Sequence, residues 1–112
     1  MKATIGDRTF GVTLEKNGTA AAFAALLPME LAMSELNGNE KYHYLMGPLP
    51  SNPQRVGHID AGDLMLFGND CVVLFYESLD TGYRYTRIGK LDDASGLKKA
   101  VGRGNVTVKL SK

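Results

Sequence analysis

The sequence holds no tryptophan, one cysteine, two histidines and no long apolar run. A single cysteine excludes an intrachain disulfide and any zinc or iron–sulfur site built from several thiolates. His43 and His58 alone cannot make a three-histidine metal centre. No stretch approaches the roughly 18 apolar residues of a membrane-spanning helix. The start Met1-Lys2-Ala3-Thr4-Ile5-Gly6-Asp7 lacks the hydrophobic core of a secretory signal. Neither sign of charge dominates: 13 basic against 12 acidic residues leave a net +1, so no broad electrostatic attraction to nucleic acid or acidic lipid arises. These absences lead us to expect a soluble, cytoplasmic protein with no metal, no cofactor, and neither nucleic acid nor membrane as partner.

What is present is an ordinary globular composition, 44% hydrophobic and 22% charged over 112 residues. A chain of this length is expected to form one domain, spanning residues 1–112, with a single core. Gly, Asn, Asp and Pro break it into short segments at close intervals, the rhythm of a small β sandwich or barrel. Ala3–Ile5 and Thr9–Leu14 flank a Gly6-Asp7-Arg8 turn, and Phe10, Val12 and Leu14 alternate as in a half-buried strand. Asn17 or Thr19 can cap a helix running from Ala20 to Leu27, which Pro28 ends. Met29–Leu36 fits both periods and is read as a strand, joined through Asn37-Gly38-Asn39 to another at Lys41–Leu45. Residues 46–62, with three prolines, read as a long surface connection. Asp63–Phe67 and Cys71–Tyr76 are the most apolar strands and meet at Gly68-Asn69-Asp70. Tyr83–Leu91 is a further strand, Ser95–Val101 a short helix leaving at Gly102, and Asn105–Leu110 the closing strand. Many short antiparallel strands with two short helices predict a mainly β fold, a closed barrel that leaves no sheet edge free.

Few residues carry a chemical signature. Glu40 and His43 have Glu-x-x-His spacing, but on a strand positions three apart face opposite ways. His58, Asp60 and Asp63 read as a polar turn into a strand. Cys71 opens an apolar strand and reads as a small core residue. No serine sits in a Gly-x-Ser-x-Gly elbow, and Gly102-Arg103-Gly104 leads into a strand where a phosphate loop would need a helix.

The aromatic residues are more informative. Tyr83, Tyr85 and Arg87 share one face of their strand, and Tyr42 and Tyr44 share one face of theirs. Pairing those faces would build an aromatic-walled groove with Glu40 and Arg87 at its rim. Such a groove suits a small planar or anionic ligand, or a short peptide.

Several stretches together resemble the small bacterial cyclophilin-like proteins, most of which lack an assigned activity. They are Asn17-Gly18-Thr19-Ala20 before Leu26-Leu27-Pro28, Glu40-Lys41-Tyr42 with Leu45, and Gly62-Asp63-Leu64-Met65-Leu66-Phe67-Gly68. Leu74-Phe75-Tyr76, Tyr83-Arg84-Tyr85-Thr86-Arg87-Ile88-Gly89 and the Leu97–Gly102 helix complete the series. The resemblance implies a closed antiparallel barrel with helices over its ends. It also raises prolyl cis–trans isomerisation through Arg55, as in true cyclophilins, whose catalytic arginine follows Phe-His and stands near further aromatics. Here no Phe-His precedes Arg55, and no phenylalanine or glutamine lies between Arg55 and Asp63. A non-catalytic binding module is therefore the leading expectation, with a weak isomerase as the alternative.

Overall fold

A computed structural model describes residues 1–112. The strands are β1 (Lys2–Ile5), β2 (Arg8–Leu14), β3 (Met29–Leu36), β4 (Glu40–Tyr44), β5 (Gln54–Arg55), β6 (His58–Ile59), β7 (Asp63–Phe67), β8 (Cys71–Phe75), β9 (Leu79–Asp80), β10 (Arg84–Leu91) and β11 (Val106–Ser111). Two helices, α1 (Gly18–Ala24) and α2 (Leu97–Val101), complete the chain. Strands run in the order β2-β1-β11-β3-β4-β8-β7-β10, and β10 pairs back onto β2, closing an eight-stranded antiparallel barrel. The fold is the mainly β barrel with two short helices that the strand rhythm and the family resemblance implied.

Local chemistry sets these elements. Asn37 and Gly38 both take left-handed backbone angles, with φ of 57° and 70°, which suits the tight connection from β3 to β4 and an Asn-Gly pair. The Asn17 side chain caps α1 by accepting from the Ala20 amide at 2.7 Å, while its own amide donates to the Arg87 carbonyl at 2.8 Å. One residue thus starts the helix and ties it to β10. The helix stops at Ala24 rather than running to Leu27, because the last amides turn tighter: Leu26 bonds the Phe23 carbonyl and Leu27 that of Ala24. Three-residue bonds of that kind wind a helix down ahead of a proline.

Inside the barrel, alternate residues of β1, β2, β3, β7, β8, β10 and β11 meet in one core that includes Ile5, Phe10, Leu31, Met33, Leu66, Leu74, Ile88 and Val108, with Phe23 from α1 and Leu97 and Val101 from α2. The barrel wall β4–β8–β7–β10 is also covered on its outer side. There Ile59, Met65, Cys71, Val73, Phe75 and Tyr85 form a second core, with Val56 and Leu79 against it. The cover comes from residues 54–59 and 79–80, so the segment 46–62 is not a bare surface connection. Its β5 pairs with β10, its β6 pairs with β9, and its Leu49 and Ile59 are buried. Two-residue strands have no periodicity that a sequence pattern can reveal. No helix is long and apolar enough to cross a membrane.

Candidate functional site

Beside that second core the outer wall stays open as a cleft of about 620 Å³, within the usual range for small-molecule sites. Strand alternation places Glu40, Tyr42 and Tyr44 of β4 on the outer face, opposite Phe75, Val73 and Cys71 of β8. The facing wall is built by Tyr83 and Tyr85, with Phe67 from the end of β7 and the Leu79–Gly82 segment. Five of the six residues expected to form the groove, Glu40, Tyr42, Tyr44, Tyr83 and Tyr85, line this one cleft. Rings pack edge to face on both sides, Tyr42 on Tyr44 at 5.9 Å and Phe67 on Tyr83 at 6.1 Å, and Tyr85 is wedged between Phe67 and Phe75.

Arg87 is the exception. It shares the outer face of β10 with Tyr85, but a strand advances roughly 13 Å over four residues, so Tyr83 and Arg87 reach different hollows. Arg87 lies 3.8 Å from the Asp63 carboxylate and opens into a second cleft of about 500 Å³, together with Arg55, Gln54, Asn17 and Thr19. Tyr85 lines both clefts and divides them. Arg55 belongs to β5, paired across from Arg84, rather than to a loop. Around it only Pro50, Val56 and Tyr85 offer apolar surface; the other lining groups are polar or charged.

The electrostatics of the aromatic cleft are one-sided. Its ionisable carboxylates are Glu40 and Asp80, and no lysine or arginine lines it. Asp80 is engaged, its carboxylate 2.6 Å from the His58 ring, whose other nitrogen meets Asp60 at 3.1 Å. Glu40 has no such partner. Only 9% exposed, its carboxyl is pushed above the usual range first by burial and then by the negative charge of Glu35. Burial, with the Glu40 charge, raises the Tyr85 phenol to about 12. Burial also pushes the Cys71 thiol up, aided by Asp70 and Glu40, which opposes formation of a nucleophilic thiolate.

Phe67, Leu79, Asp80 and Cys71 also line the cleft, beyond the residues expected. Phe67 was within reach of pattern reasoning, since Met65 and Phe67 alternate onto the same face as the tyrosines across the sheet. Leu79 and Asp80 give no such signal. The His58–Asp60–Asp63 cluster does not assemble: Asp63 instead accepts from the Asp60 amide at 2.9 Å, and no group of three or more His, Cys, Asp or Glu side chains is arranged to hold a metal.

A closed eight-stranded antiparallel barrel, two short helices packed against its core and a cleft on its outer wall define a small barrel protein of the cyclophilin type. A family model described as the cyclophilin-like family matches residues 3–111, and the chain belongs to that family. No curated protein and no solved structure matches the chain.

Proposed function

We propose that this protein is a non-catalytic binding module that presents the aromatic cleft to a small planar ligand or a short peptide. One observation carries the reading. Of the six large apolar side chains left exposed, Leu36, Tyr44, Phe67 and Tyr83 gather at this cleft, while Leu26 and Met46 lie elsewhere. Scattered exposed apolar residues need no explanation, but a cluster around a concavity marks an interaction site. An anionic ligand loses its support with Arg87 in the other cleft.

The test is a chemical-shift titration against a panel of metabolites and short peptides. Shifts confined to residues 40–44, 67–73 and 79–85 are expected. A panel that leaves those resonances in place, or moves only those around Arg55 and Arg87, overturns the reading.

Prolyl isomerisation through Arg55 ranks second. That reaction needs a cation near the proline nitrogen and apolar walls for the ring, and the surroundings of Arg55 are mostly polar. Uncatalysed exchange takes tens of seconds or more, so acceleration is easily measured. None is expected at micromolar protein; turnover that vanishes in Arg55→Ala would reverse the ranking.

A further inference from the structure

We propose that the aromatic cleft selects organic ammonium ions, with the Glu40 carboxylate receiving the cationic nitrogen and Tyr42, Tyr44, Phe67, Tyr83 and Tyr85 surrounding it. This rests on the cleft being a binding site and adds the chemical class of its ligand.

The argument compares three kinds of occupant. An anion would enter a cleft that holds two carboxylates and no lysine or arginine. The available guanidinium groups, Arg55 and Arg87, stand in the neighbouring cleft. A neutral aromatic molecule would displace water from Glu40 and leave its carboxylate unpaired, adding to the cost of a charge on a residue only 9% exposed. An ammonium ion does the reverse. It gives Glu40 the hydrogen-bond donor that the chain does not supply, and the favourable pairing grows as the cleft dries.

Aromatic walls support the same choice, because ring faces attract cations without demanding a fixed donor geometry. Asp80 is the weaker attractor, its side chain 88% exposed to screening solvent and its Oδ1 already 2.6 Å from the His58 ring. Burial and the Glu35 charge raise the Glu40 pKa, and a bound cation should bring it back towards the ordinary carboxylate value.

Benzylamine, benzyl alcohol and benzoate share one ring and differ in charge, so they separate the possibilities. Four of the five tyrosines line the cleft, and their ring resonances, with the backbone amides of residues 40–44, report occupancy. A fragment of this size is expected to bind in the millimolar range. Benzylamine should bind at least tenfold more tightly than either analogue. Glu40→Gln should weaken benzylamine by roughly tenfold and bring its affinity close to that of benzyl alcohol, which no longer has to strip water from a carboxylate. Tyr83→Leu changes a side chain that is 67% exposed, so folding is not at risk, and should cost roughly threefold.

Equal affinity for benzylamine and benzyl alcohol, tighter binding of benzoate, or full benzylamine affinity in Glu40→Gln would overturn the ammonium assignment while leaving the cleft a binding site. Cleft resonances indifferent to all three compounds would overturn the binding reading itself.

Discussion

Lys41 and Tyr76 converge on one carboxylate: the Lys41 ammonium lies 5.2 Å from the Tyr76 ring centroid, and both side chains donate to Oε1 of Glu35, at 2.9 and 2.7 Å. Lys41 is wholly buried and also donates to the Gly102 and Gly104 carbonyls at 2.8 and 2.5 Å. One ammonium therefore joins β3, β4 and the loop between α2 and β11. Its burial is tolerable because every donor is used.

Lys41→Met should destabilise the protein by about 1–2 kcal/mol, since it removes the three hydrogen bonds of a wholly buried ammonium while Glu35 and the two glycines keep contact with solvent. Burial alone would raise the Glu35 carboxyl, but bonds from Lys41, Tyr76 and the Gly38 amide outweigh it and lower its pKa. A lowered carboxyl contributes stability above its unfolded value of 4.5 that is lost as pH falls through the folded value. Acid unfolding curves should therefore lose part of their steepness in Lys41→Met. An unchanged melting temperature would show that the ammonium does not hold the barrel end.

Gly89 marks the seam where the barrel closes. It faces Leu14 of β2, and β10 slips register against β7 between Arg87 and Gly89. A Cβ at this position would lie 2.5 Å from the Thr13 carbonyl oxygen and 3.2 Å from the Leu14 Cα. Both are backbone atoms, which cannot move without opening the seam. Gly89→Ala should cost about 2 kcal/mol, whereas Gly47→Ala, where a Cβ meets nothing within 4 Å, should stay within about 0.5 kcal/mol. Equal melting temperatures for the two variants would contradict the seam argument.

The barrel was legible because its strands carry period-two patterns and turn residues of their own. The sheet face was legible too: Tyr42, Tyr44, Tyr83 and Tyr85 project from one wall as alternation requires. Lys41 was not, because β4 bears charge on both faces and a lysine is seldom fully buried. Its burial depends on carbonyls about 60 residues away, a separation visible only in the fold. Arg87 failed for another reason, in that a shared face is not a shared cavity. The β5 and β6 cover, which turns part of the outer wall into a second core, is made of dipeptides too short to register.

The two-stranded sheet of β6 and β9 is clamped by His58. Its hydrogen bond to Asp80, and then the Asp60 charge and bond, raise the ring pKa above 6.5 against the opposing effect of burial. A raised histidine stabilises fully below its unfolded value, and that contribution fades as pH rises through the folded value. Ring resonances of His58 should therefore titrate above the ordinary midpoint, and Asp80→Asn should bring the midpoint down. Because Leu79, Asp80 and Thr81 wall the cleft, amide exchange there, corrected for intrinsic pH dependence, should quicken above that midpoint. A His58 midpoint at or below 6.5 would remove the clamp.

Glu40 supplies the sharpest stability test, because the residue assigned to ligand recognition should harm the empty fold. A carboxyl raised in the folded state contributes stability below its unfolded value of 4.5 and loses it as pH rises through the folded value. Its charged form thus sits on a largely buried residue with no hydrogen-bonding side chain to compensate it. Glu40→Gln keeps the shape and removes the charge, and should stabilise the protein at neutral pH by about 1 kcal/mol. For a domain of this size that is a rise of roughly 4–8 °C in melting temperature. The difference should shrink as the pH falls through the folded value towards 4.5, below which the wild-type carboxyl is protonated in both states. Stabilising substitutions at functional positions are the common signature of a site kept for binding at the expense of folding. A melting temperature that falls in Glu40→Gln, or a gain independent of pH, would mean that the carboxylate has a structural partner and is not available to a ligand.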